Sequence, residues 1–277
     1  MLIISAFCGK AQDEEEYRGF SVGFRLGTYL ASKNTANFYN GSGFYQSGVN
    51  YAGVQAYTIG ERLSGDIFGT QLVSQINNYY NSSDFQIPYD SSPMNMRYNP
   101  AFSVGLDFRY RLNRFASYIL QIQTTKLVAS DQFTVQFIGT PQQINAQNDI
   151  RLFSITGSEQ RFQMALGYRQ GWEVNELIDF FIQPGITFSG VKVNNNQIHI
   201  ADQNLDLFIG AYNPQQLQNY TPQTRTGFGG GFGTGFEFEL GNGHSFDLGF
   251  YTYREKMKLW ETEFVGWNKS LTATFYY

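Results

Sequence analysis

Phe102 to Leu112 reads FSVGLDFRYRL. Phe102, Val104, Leu106, Phe108, Tyr110 and Leu112 hold one phase of a period-two pattern, and Ser103, Gly105, Asp107, Arg109 and Arg111 hold the other. Successive strand residues point to opposite faces, so this stretch predicts a strand with one apolar and one charged side. The same alternation recurs upstream, where Phe20, Val22, Phe24 and Leu26 oppose Ser21, Gly23, Arg25 and Gly27. Downstream it returns around Ala116–Gln123, Arg161–Arg169, Phe180–Ser189, Gly227–Leu240, Phe246–Tyr251 and Leu271–Tyr277, which makes eight segments.

Periodicity alone suits a soluble sandwich as well as a membrane barrel. The placement of charge separates them. Arg25, Asp107, Arg109, Arg111, Arg161, Arg169, Glu237, Glu239 and Asp247 all fall in the polar phase. Five Arg and four acids in one phase predict a luminal ion-pair network, because an enclosed charge needs a partner. Arg outnumbers Lys there, as bidentate pairing favours. The other phase is rich in Phe, Leu, Ile and Tyr, with Tyr17, Tyr168, Trp172, Trp260, Trp267 and Tyr277 near strand ends. This suits a lipid-facing band bordered by aromatic residues. In lipid every strand backbone group must be paired, so eight strands must close into a ring. The expected fold is all-β: an eight-stranded antiparallel up-and-down transmembrane β-barrel with long extracellular loops.

Connection lengths support that expectation. Ala31–Pro100, Gly139–Glu159, Asn194–Arg225 and Lys258–Gly266 read as the longer connections. Asn113-Arg114, Trp172–Asp179 and Gly241-Asn242-Gly243 read as the shorter ones, all on the side of the termini. In the first connection, Ile67, Leu72, Val73 and Ile76 suggest a helix from about Ser64 to Tyr79. Phe133, Val135 and Phe137 suggest that the third strand projects outside the membrane, and Ile198 to Ile209 suggest a hairpin there.

Composition excludes other classes. The 277-residue chain has a formal net charge of -4, which gives no basis for a nucleic-acid partner. Its charged fraction is 15% and its aromatic fraction 17%, so disorder does not fit. No run reaches the length of an apolar membrane helix. A single cysteine, Cys8, and two histidines, His199 and His244, exclude zinc clusters and disulfide frameworks. No cofactor fingerprint occurs: the Gly227–Gly235 run alternates Gly with Phe as a strand does. No G-x-S-x-G is present, and His199 has Ser189 and Asp202 near it in sequence only. No catalytic, cofactor-binding or metal site is expected, and the chain reads as a non-enzyme.

Residues 1–11 read as a signal-peptide remnant, with Gly9 and Ala11 where signal peptidase accepts small side chains. Residues 12–277 then form a single barrel domain.

Ala11-Gln12, the Phe-x-Val-Gly-x-x-x-Arg-Tyr run of Phe102–Tyr110, Phe162 to Tyr168 and the Thr272–Tyr277 end resemble small outer-membrane barrels of the Bacteroidota, OmpA-barrel-like or PorT-like proteins. The resemblance implies the cell outer membrane, outer-membrane lipid as surroundings, and the barrel assembly machinery as a biogenesis partner. Phe275 and Tyr277 stand where that machinery reads its terminal signal. It further implies an accessory or scaffold subunit of an envelope complex for barrel assembly or protein secretion, contacting other outer-membrane or surface proteins through residues 31–100 and the lipid face. A small-solute or lipid transport barrel is the alternative. The sequence leaves open whether the first connection binds a partner or shields the barrel.

Overall fold

The computed structural model describes residues 19–41, 50–51, 54–64, 70–88, 93, 95–139, 149–210, 224–241, 243–259 and 262–277. The expected signal remnant, Cys8, Tyr17 and Trp260 lie outside them. In chain order the elements are β1 (Gly19–Leu30), α1 (Lys33–Ala36), a 3₁₀ turn (Asn37–Tyr39), β2 (Asn50–Tyr51), β3 (Val54–Ala56), α2 (Ile59–Leu63), α3 (Thr70–Tyr80), β4 (Asp84–Gln86), β5 (Arg97–Tyr98), β6 (Ala101–Arg111), β7 (Ala116–Ile138), β8 (Asp149–Asn175), β9 (Ile178–Ile200), β10 (Gln203–Asp206), β11 (Phe208–Gly210), β12 (Thr224–Gly241), β13 (His244–Leu259) and β14 (Thr262–Tyr276).

The fold is predominantly antiparallel β. Eight strands were expected; the main sheet has eleven and a second sheet three. Eight strands of the main sheet are long, and β4, β5 and β10 are short additions at the end remote from the chain termini. Each long strand is paired on both sides. The ladders run β1–β6–β7–β8–β9–β12–β13–β14, and β14 pairs in turn with β1. No helix among the described residues is long and apolar enough to cross a membrane.

Polarity along a strand changes sign partway. On β7 the inward residues run Ser117, Ile119, Gln121, Gln123 and Thr125, and continue as Leu127, Ala129, Asp131, Phe133, Val135 and Phe137, all buried but Asp131. The outward residues run the other way, from Tyr118, Leu120 and Ile122 to Lys126, Ser130, Gln132 and Gln136. Near the termini the sheet is apolar outside and polar inside. At the far end it is polar outside, with Ile150 and Leu152 of β8 as exceptions, and largely apolar inside, as in a water-soluble protein. We call that far part the crown.

Several boundaries differ from the sequence expectation. β7 runs 23 residues, so it projects well past the apolar band. Gly139–Glu159 is not all loop, because β8 begins at Asp149. Asn194–Arg225 opens with strand: β9 continues to Ile200 and turns into β10 through Ala201 and Asp202, both at positive φ. Lys258–Gly266 is strand except for the turn, since Leu259 pairs with Thr262. Short connections therefore occur at both ends. Of the helix expected at Ser64–Tyr79, α3 covers Thr70–Tyr80, and residues 65–69 lie outside the described ones; α2, opened by a Thr58/Glu61 capping box, precedes that stretch.

Gly229, Gly231, Gly233 and Gly235 of β12 pack against neighbours with no space for a Cβ. A Cβ at Gly231 would lie 2.0 Å from the Thr252 carbonyl oxygen of β13. At Gly19 it would meet nothing within 4 Å. Gly231→Val is expected to abolish recovery of the β-sheet circular dichroism signal on refolding, while Gly19→Val refolds as wild type.

Candidate functional site

The interior between the long strands is filled by charged and aromatic side chains in three groups. Nearest the termini, Arg109 of β6 donates to Glu237 Oε1 at 2.5 Å and to Asp247 Oδ2 at 2.8 Å. Arg169 of β8 reaches Asp247 Oδ2 at 2.6 Å and Glu237 Oε2 at 3.4 Å. Arg111 donates to Glu237 Oε1 at 2.5 Å. The Arg109 guanidinium stacks over the Tyr276 ring, 3.5 Å from its centroid, and that of Arg169 over Phe181 at 3.8 Å.

In the middle, Arg25 of β1 grips Asp107 with two bonds, Nε to Oδ1 at 2.7 Å and Nη2 to Oδ2 at 2.5 Å. Asp107 also accepts from the Tyr276 hydroxyl at 3.1 Å. Arg25 turns its remaining donors to Thr272 and Tyr251.

At the base of the crown, Arg161 pairs with Glu159 at 2.5 Å. Glu159 Oε2 accepts from the hydroxyls of Tyr39 at 2.7 Å and Tyr98 at 3.0 Å. Glu255 accepts from Gln163 at 2.7 Å, Ser189 at 2.8 Å and Asn268 at 2.6 Å. Burial, followed by the adjoining Glu159 carboxylate, pushes the Tyr39 and Tyr98 phenols well above their usual range, so both stay protonated donors.

Of the nine residues expected in a luminal network, the structure brings eight into ion pairs, divided among these groups. Glu239 stands apart, its N–H donating to the Leu177 carbonyl. Three buried acids, Glu159, Asp179 and Glu255, were not among the nine. Glu159 and Glu255 lie beyond the apolar band, where strand had been read as loop or strand end, and Asp179 lies at the opposite end beside Arg111 and Glu237.

Part of the first connection covers the end of the interior remote from the termini. Phe38 and Tyr39 are both fully buried there. Tyr39 lies flat against Gly157 of β8, where a Cβ would come within 2.2 Å of its ring. Phe38 packs edge-on to Phe264 and tilted on Phe208. Ile59 and Leu63 of α2, Ile76 of α3 and Phe133 of β7 complete this apolar core. At the opposite end, a cavity of about 10 Å³ lies beside Arg109, Arg111, Arg169 and Glu237, room for about one water.

The candidate catalytic groups do not converge. His199 Nδ1 is 2.9 Å from Asn204 Oδ1, Asp202 accepts from Tyr79, and Ser189 faces inward to Glu255. His244 stacks on Phe275 at the chain-end side. Among the described residues no group of three or more His, Cys, Asp or Glu could hold a metal ion. Phe275 and Tyr277 both point outward and are exposed.

No protein-family model matches the chain, and no curated protein matches it. Its shape is similar to solved structures. Neisserial surface protein A aligns over 93% of this chain and 94% of its own at 8% identity, with a TM-score of 0.42. The outer membrane protein OprG from Pseudomonas aeruginosa aligns over 94% and 97% at 9% identity, with a TM-score of 0.37. Ail, the attachment invasion locus protein of Yersinia pestis, in complex with the heparin analogue sucrose octasulfate, aligns over 93% and 99% at 12% identity, with a TM-score of 0.34. Likeness at this level carries no function across.

Asp107→Leu leaves Arg25 buried without its partner. It is expected to cost about 3–5 kcal/mol, read from the denaturant midpoint of the refolded protein. Arg25→Met combined with Asp107→Leu should cost less than Asp107→Leu alone, because no buried charge is then stranded.

Proposed function

We propose that this chain is an eight-stranded antiparallel transmembrane barrel of a bacterial outer membrane, sealed along its axis, which serves as a non-catalytic scaffold or accessory subunit of an envelope protein complex. The path of ladders supports closure, since each long strand has two partners. The outward band of Phe24, Leu106, Ile122, Leu166, Phe232 and Leu271 supports burial in lipid. Strand crossing with apolar residues outward and polar ones inward is the pattern of outer-membrane barrels, so the outer membrane is the location this reading assigns. Residues 1–11 are then a signal remnant and 12–277 the barrel, delivered by the assembly machinery through its Phe275–Tyr277 end.

The sealed interior is the observation that carries the scaffold reading over transport. Eight strands enclose a space that side chains can fill. Here buried Arg and carboxylate groups fill it, and Phe38 and Tyr39 close the mouth. The first connection thus acts as a lid in its 31–41 part. The crown around it is a rigid outward platform, well suited to protein contact. The transport alternative has one feature in its favour. A groove of about 280 Å³ between Phe24, Leu106, Ile122 and Phe162 lies on the lipid side and fits hydrocarbon.

Two measurements test this reading. In planar bilayers the wild-type protein is expected to give no conductance steps, and regular steps would favour transport. Mild extraction of the tagged protein is expected to bring down partners in near-equal amounts, and surface-charge changes on the crown should release them while the barrel stays folded. A monodisperse monomer from native membranes would remove the scaffold role.

A further inference from the structure

Beyond the apolar band, the outer surface of β13 and β14 changes character in one step. Phe250 and Leu271 are cross-strand partners and face outward, and so are the next pair, Thr252 and Lys269. Past that step β13 presents Arg254, Lys256 and Lys258 outward, and β14 presents Trp267 between Lys269 and Val265. All four cations are exposed. Arg254 is the direct partner of Trp267, which is 53% exposed and so sits at the rim as an interfacial ring. Among the described residues the acid on this outward surface is Glu263, which holds Lys256 at 2.8 Å. Arg254, Lys258 and Lys269 make no ion pair among the described residues. The acids at the same level, Glu159 and Glu255, point inward and are buried.

This asymmetry calls for a cause. A scaffold needs no one-signed outer strip, and unbalanced cations repel one another. The strip lies on the side of the band remote from the termini, directly against the hydrocarbon boundary. Anions held at that height would compensate it. Resting on the membrane reading above, we propose that Arg254, Lys258 and Lys269, with Trp267 among them, form a binding strip for the phosphate of an anionic lipid headgroup in the outward leaflet. The acyl chains of that lipid would lie along Phe232, Phe250 and Leu271, and the phosphate would accept from two or more of the cations. The occupant is a lipid and not a free anion, because the cations are exposed side by side on an open strand face and that face continues into the apolar band.

The test reconstitutes the full chain into phosphatidylcholine nanodiscs doped with diphosphorylated lipid A. Native mass spectrometry counts the lipids that remain bound. Wild type should retain lipid A over phosphatidylcholine by roughly tenfold beyond the bulk ratio. The triple variant Arg254→Gln/Lys258→Gln/Lys269→Gln should fall to about the bulk ratio, while Lys126→Gln/Lys192→Gln, on β7 and β9, keeps the preference. Equal retention by wild type and the triple variant would overturn the proposal. So would equal loss in both variants, since charge alone would then account for it, and so would displacement of the lipid by millimolar inorganic phosphate. Protease protection of the barrel in the same nanodiscs separates the two claims. Protection without lipid preference overturns the strip alone, and lack of protection overturns the membrane reading beneath it.

Discussion

A strand face cannot suit water and hydrocarbon at once, and that constraint organises this protein. Where the outside is apolar, the inside must take every polar side chain, and each charge there must be matched in a confined space. Where the outside meets water, the inside can be apolar and pack as an ordinary core. β7 shows both regimes on one 23-residue strand, with inward Gln121 and Gln123 giving way to Phe133, Val135 and Phe137. The Glu159–Arg161 pair, held by Tyr39 and Tyr98, lies at the junction of the two.

The ion pairs follow from that constraint. Burying an Arg costs several kcal/mol unless its partner is well placed. The structure answers with shared carboxylates: Asp247 serves Arg109 and Arg169, and Glu237 serves Arg109, Arg111 and Arg169. Aromatic rings fill what remains, with Tyr276 and Phe181 lying under guanidinium groups. An interior built this way specifies register, because a one-residue slip would turn every charge toward the outer face.

The phase of the strands was legible in the sequence because apolar and polar surroundings impose opposite demands on alternate residues. The polar residues of β1, β6, β8, β12 and β13 fall inside as their phase implied. The crown was harder to read. There polar residues such as Asn195, Gln197 and His199 are on the outside, and they look like loop. A bulge at Asn194 also shifts the inward phase of β9 from Val191 and Val193 to Asn196, Ile198 and Ile200. Strict alternation therefore fails just where β9 leaves the band. The turn after Leu259 was hidden for a similar reason: Arg254, Lys256 and Lys258 made the end of β13 resemble solvent-exposed chain. Glu159 and Glu255 were missed with those segments: Arg161 stands two residues from Glu159 on β8, but Tyr39 and Tyr98, and for Glu255 the side chains of Gln163, Ser189 and Asn268, come from other elements.

The sign change along β7 is open to direct measurement. Single cysteines at outward positions 120, 122, 130, 132 and 134, in a chain with Cys8 replaced, would carry a fluorophore in reconstituted vesicles. Quenchers fixed in the acyl chains and quenchers dissolved in water would then report the surroundings of each site. The account predicts lipid quenching at 120 and 122 and aqueous quenching at 130, 132 and 134. Aqueous quenching at all five positions would contradict it.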